Sequence, residues 1–75
     1  MGGLLVYNYA EIDEATNMCV GVCTSSGLFT EGPTGYGTYY VSIPVYDPEY
    51  GFKYYINGSW YEDTAGTVRW QTSLL

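Results

Sequence analysis

The sequence predicts an all-β fold: a small antiparallel sheet or meander of five to six short strands that closes in a C-terminal β-hairpin. Three observations carry this expectation. Apolar residues alternate with period two between turn signals, and no sustained 3.6-residue pattern interrupts them. The chain is rich in Tyr, Val, Thr, Ile and Trp, the residues that fit a pleated surface. Asn57-Gly58 stands between two aromatic runs, the strongest short-range hairpin signal.

The first strand is expected over residues 4–12, followed by a polar turn, Asp-Glu-Ala-Thr-Asn, at 13–17. A single helical turn over 10–16 is the alternative there. The second strand spans 18–24 and ends at Ser25-Ser26-Gly27. Residues 25–37 form the long loop, because Gly32, Gly35, Gly37 and Pro33 would cut any ladder. In the third strand, 39–45, Tyr39, Val41, Ile43 and Val45 share one face, and Tyr40, Ser42 and Pro44 the other. Pro44 has no N–H to donate, which places this strand at a sheet edge or ends it there. A turn follows with Asp47 in its first position and Pro48 in its second. In the hairpin, a two-residue loop sets Ile56 opposite Ser59, Tyr55 opposite Trp60, Tyr54 opposite Tyr61 and Lys53 opposite Glu62. Phe52, Tyr54, Ile56 and Tyr61 are assigned to the core. Lys53, Tyr55, Trp60 and Glu62 are assigned to the outer face, where an opposite-charge pair is comfortable in water. A last strand is expected over 67–72, and residues 73–75 are expected to fray or to dock on a neighbour.

At 75 residues the chain reads as one domain, 1–75, with little core of its own. Domains this small usually need disulfides, a metal, idealised packing or oligomerisation. A metal is disfavoured: there is no histidine, and Cys19 and Cys23 fall two ligands short of a closed zinc site. A disulfide between them fails on geometry, since residues four apart on a strand lie roughly 13 Å apart, beyond the ~7 Å limit for bridging. The expectation is two small buried thiols on one face with Gly21, in a reducing compartment. The net charge of −6, with Lys53 and Arg69 the only bases, argues against nucleic acid and against an anionic membrane surface. The N-terminal ten residues lack the basic region and long apolar core of a signal peptide, and no apolar run approaches a membrane span. An intracellular product, or one released without a secretion signal, is expected.

The same composition bears on chemistry. Without histidine, Ser–His and Cys–His nucleophilic pairs are excluded within the chain. The eight acids are scattered singly or in turn pairs, Asp13/Glu14, Asp47/Glu49 and Glu62/Asp63, and read as solvated turn residues rather than a glycosidase pair. No calcium-loop motif is present, and Asn57-Gly58-Ser59, which matches a glycosylation acceptor, is explained by its turn. No enzymatic activity and no cofactor are expected. The rings are harder to place: ten tyrosines and two tryptophans exceed what one small core encloses, and Tyr and Trp are enriched at interfaces. Tyr55 and Trp60, with Tyr39 and Tyr40, are the candidate ligand or interface residues; the competing reading of the Tyr55–Trp60 pair is hairpin packing alone.

In their order, several short motifs resemble those of small bacteriophage and prophage minor structural, tail-associated modules. They are Tyr9-Ala10-Glu11-Ile12, Cys19-Val20-Gly21-Val22, Ser26-Gly27, Tyr46-Asp47, and Gly51-Phe52-Lys53-Tyr54 followed by Asn57-Gly58-Ser59-Trp60. The similarity spans residues 9–63 and departs from the pattern in the loop over residues 29–40 and by one additional hairpin residue. The resemblance implies a virion part of the tail or adsorption apparatus that works by assembly. It implies other virion proteins as partners, a host cell-surface glycan as a further one, and residence in the bacterial cytoplasm before the virion. Self-association into a homo-oligomer is expected from the small size and the excess of rings. The closing hairpin is also similar to a choline-binding repeat, through Gly51-Phe52, Asn57-Gly58, Trp60-Tyr61 and Gly66, with Phe in place of the first Trp. That resemblance implies the alternative, a small carbohydrate- or choline-binding module for cell walls.

Overall fold

Five strands form in the computed structural model, which describes residues 5–74: β1 Tyr7–Asp13, β2 Cys19–Ser25, β3 Thr38–Ile43, β4 Tyr54–Ile56 and β5 Ser59–Tyr61. The fold is all-β as expected, with one 3-10 turn, Pro48–Tyr50, between β3 and β4. Among the described residues, no helix is long and apolar enough to cross a membrane. Leu4, the expected start of the first strand, lies outside the described residues, as does Leu75; Leu5 and Val6 are exposed.

β1 is the central strand of an antiparallel sheet in the order β2-β1-β3. Its sequence suits the place, since Tyr9, Ala10 and Ile12 are buried on both of its faces. The third strand lies at an edge and stops at Ile43, one residue before Pro44, as a residue without an N–H requires. Pairing of Ala10 with Val22 and Val41, and of Ile12 with Cys19 and Tyr39, gathers one apolar face. Opposite it, Tyr9 pairs with Cys23 and Ser42, and Glu11 with Gly21 and Tyr40.

The register corrects one expectation. Between Glu11 and Ile12 the pairing skips a residue of β2, so Gly21 faces Glu11 while Cys19, not Val20, faces Ile12. The extra residue reverses the alternation. Cys19 therefore joins the Ile12 face and is buried, whereas Cys23 joins the Tyr9 face with Gly21; the thiols do not share a side. Both are free.

Each face has its own cover. Over the Tyr9 face the long loop folds back: Phe29 stacks on Tyr9 at 4.7 Å and 12°, and its N–H donates to the Tyr9 hydroxyl at 3.1 Å. Thr38 donates to Glu11 at 2.7 Å, and the Ser42 N–H, at the outer edge of β3, donates to the Glu31 carboxylate. Over the Ile12 face lie the 3-10 turn and the hairpin, with Tyr50, Tyr55, Trp60 and Trp70 packed against Ala10, Ile12, Cys19, Val41 and Ile43.

The 3-10 turn forms where Asp47-Pro48 predicted it. Asp47 caps it, accepting from the Glu49 N–H at 2.9 Å through its side chain and from the Tyr50 N–H at 3.1 Å through its carbonyl. Asp47 is not the solvated turn acid expected of it: it is 4% exposed. Its second carboxylate oxygen accepts from the buried Thr72 hydroxyl, so neither oxygen of the buried carboxylate is left without a partner.

The two sheets are joined along a seam. The Phe52 N–H donates to the Cys19 carbonyl, the Cys19 N–H to the Lys53 carbonyl and the Tyr55 N–H to the Asn17 carbonyl, at 2.7–2.9 Å. β4 thus lies beside the start of β2. The molecule is a slab of 46 × 31 × 17 Å.

Candidate functional site

The hairpin turn is built as expected. Asn57 and Gly58 both take positive φ, 51° and 81°, which a type I′ loop demands, and the pairs Tyr54–Tyr61, Tyr55–Trp60 and Ile56–Ser59 form. Its faces are the reverse of those assigned. Tyr55 and Trp60, read as outward, pack on the core, whereas Phe52, read as core, is 77% exposed. Phe52 holds a left-handed backbone, φ 69°, as the chain leaves the 3-10 turn, and its side chain is carried away from the sheet. Lys53, taken as the marker of a wet face, keeps its charge at the surface by laying its ammonium 5.3 Å from the centre of the Trp70 ring. The Lys53–Glu62 pair does not form part of the ladder, which ends at Tyr54–Tyr61.

Turning that face inward assembles a ring cluster. Tyr50 is buried, with Trp60 edge-on at 4.7 Å and Trp70 at 4.9 Å; Tyr55 leans on Trp60 at 5.1 Å, and the indoles are 6.4 Å apart at 73°. Such pairs contribute about 0.5–1.5 kcal/mol each beyond their buried area. Burial, and then the nearby Asp47 carboxylate, push the Tyr50 hydroxyl above its ordinary pKa. Tyr39 approaches from β3, its pKa also raised by burial first and then by Tyr55 and Glu14. Of the four candidates, Tyr39, Tyr55 and Trp60 therefore converge on one side. Tyr40 lies on the opposite face of the sheet, 4.9 Å from Phe29 and 6.3 Å from Tyr9.

Trp70 and Tyr50 were not among the candidates. Trp70 belongs to the segment expected as a last strand, of which only one bridge, Tyr61–Arg69, is realised. The reason is Asp63. Its carboxylate accepts from the N–H of Thr67 and of Val68, both at 2.9 Å, and from the Thr67 hydroxyl, so these donors are unavailable to a ladder. Those bonds, the Thr67 hydroxyl first and the Val68 N–H next, hold the Asp63 carboxyl below its ordinary pKa. Beyond this clamp the Glu62 N–H donates to the Val68 carbonyl and the Trp70 N–H to the Trp60 carbonyl at 3.0 Å, which brings Trp70 beside Trp60.

A shallow recess of about 360 Å³ opens between this segment and the turn, lined by Gly58, Ser59, Trp60, Arg69, Trp70 and Gln71. Arg69 rests its guanidinium 5.8 Å from the centre of the Tyr61 ring. The site offers stacking surface and hydrogen bonds. The chain's thiols lie elsewhere and are poor nucleophiles: burial raises the pKa of both Cys19 and Cys23, keeping them protonated. Among the described residues, no three His, Cys, Asp or Glu side chains come together to hold a metal ion. Compared with known proteins, the chain matches no family model, no curated sequence and no solved structure.

Proposed function

We propose that this chain is a non-enzymatic structural module of a phage or prophage virion, in the tail or adsorption apparatus, that assembles with copies of itself and with other virion proteins. The observation that carries the reading is the apolar surface left on the folded chain. Among the described residues, nine large apolar side chains are exposed against seven buried apolar residues, and Leu28, Tyr36 and Phe52 are 75%, 91% and 77% accessible. Isolated exposed apolar residues are ordinary on monomers; here they outnumber the core.

The sheet edges support the same reading. β3 is screened by the Glu31 carboxylate on Ser42 and by a bridge between Pro33 and Tyr39. Among the described residues, the edge of β2 meets the hairpin only around residues 17–19, and residues 20–25, Val-Gly-Val-Cys-Thr-Ser, carry neither charge nor proline to blunt pairing with another strand. A net charge of −6 keeps such a chain soluble before it assembles. The virion placement rests on the order of motifs from Tyr9 to Trp60.

Light scattering after size exclusion tests the assembly reading. A discrete oligomer is expected at tens of micromolar, and a monodisperse monomer would overturn it. Peptides of this chain are expected in particles purified from an induced lysogen that carries it; their absence from the particles would remove the virion placement.

A further inference from the structure

The recess beside the hairpin turn differs in make-up from the rest of the surface. It gathers both tryptophans and one of the two bases, and none of the eight acids contributes to its lining. Two indoles 6.4 Å apart and steeply inclined supply apolar surface. Ser59, Arg69 and Gln71 supply hydrogen-bond donors and acceptors around it. A Cβ at Gly58 would meet nothing within 4 Å, so the space beside this lining residue is open.

Charge narrows the ligand further. A cation such as a quaternary ammonium would be repelled by Arg69 in the lining, which holds no carboxylate to compensate. An anion would be attracted by Arg69 once inside but would have to approach against a chain of net charge −6. A neutral, polyhydroxylated ring avoids both costs: its C–H face suits an indole, and its hydroxyls suit an arginine, an amide and a serine. The volume lies at the lower end of the ~300–1,000 Å³ range of small-ligand pockets, a size for one or two such rings.

We propose that this recess is a binding site for a neutral saccharide, with its C–H groups against the parts of Trp60 and Trp70 that line the recess and its hydroxyls bonded by Ser59, Arg69 and Gln71. The site goes beyond the assembly reading and does not depend on it, because the oligomeric state is measured separately.

The test is a titration of the full ¹⁵N-labelled chain with cellotriose, maltotriose and N-acetylchitotriose, followed through the two indole N–H resonances, with choline and glucuronate as charged probes. At least one trisaccharide is expected to shift both indole signals saturably, with choline and glucuronate leaving them in place. Arg69→Gln and Gln71→Ala, at exposed positions outside the core, are expected to weaken that response by about tenfold while the backbone amide spectrum stays native. The proposal is overturned if no trisaccharide moves the indoles at millimolar concentration, if a charged probe moves them more, or if both variants respond like the parent chain. It is equally overturned if diluting the protein alone shifts these signals, since the recess would then be a contact between copies.

Discussion

The two faces of the β2-β1-β3 sheet bury aromatic rings in different ways. On one, Tyr9, Phe29 and Tyr40 close over each other, and the loop that brings Phe29 is tied down by hydrogen bonds to Tyr9 and Ser42. On the other, Tyr50, Tyr55, Trp60 and Trp70 meet the core but leave a recess with a polar rim. The first cluster spends its polar groups on the chain itself. The second leaves Arg69 and Gln71 facing outward, so it is the face equipped to recognise something else.

The largest way to break the comparison is truncation of each cluster's centre. Tyr9→Ala and Tyr50→Ala are each expected to cost about 3–5 kcal/mol, as buried aromatics do, a large part of the stability of so small a domain. They separate spectroscopically. Both tryptophans belong to the Tyr50 cluster, so under conditions where the variants remain folded, Tyr50→Ala changes native indole emission and Tyr9→Ala leaves it as it was. Equal emission changes in both variants would show that the clusters are not independent.

A smaller effect is expected from acid at Asp63, on the recess side. Asp63 has a folded pKa below its unfolded value of about 3.9. The stability it contributes is therefore complete above that unfolded value and is lost as pH falls through the folded one. Asp63→Asn should flatten this limb of a plot of urea midpoint against pH, leaving neutral-pH emission of Trp70 displaced because the 67–70 segment has lost its clamp. An unchanged acid limb would remove Asp63 from the account.

The mildest probe is thiol alkylation. With Cys19 sealed on one face and Cys23 half-exposed on the other, iodoacetamide should modify Cys23 faster by on the order of tenfold or more, because Cys19 reacts only after local opening. Peptide mapping of a time course reads this directly, and equal rates would contradict the bulge that separates them.

Much of the fold was legible in the sequence for local reasons. Asn57-Gly58 fixed its own turn and three cross-strand pairs, Asp47-Pro48 its turn, and Pro44 an edge and an end. What escaped was set by contacts distant along the chain. The side on which Tyr55 and Trp60 lie depends on the left-handed Phe52 and on Trp70 being present to receive the Lys53 ammonium. The phase of Cys19 depends on one unpaired residue of β2, which no alternation count reveals. Phe29 lay in a loop marked only by its glycines and proline, yet it packs on Tyr9 and Tyr40 across the sheet. The candidate site was legible to the extent of its hairpin half, Trp60. Its other half, Arg69, Trp70 and Gln71, arrives because a carboxylate diverts two amide protons from a ladder.

The seam between Asn17–Cys19 and Phe52–Tyr55 makes the hairpin and the larger sheet melt together. A freestanding two-stranded ribbon is barely stable in water, whereas this one shares its inner backbone rungs with the central architecture. The aromatic platform that the hairpin carries is therefore as rigid as the molecule beneath it, and whatever settles there meets a surface already in shape.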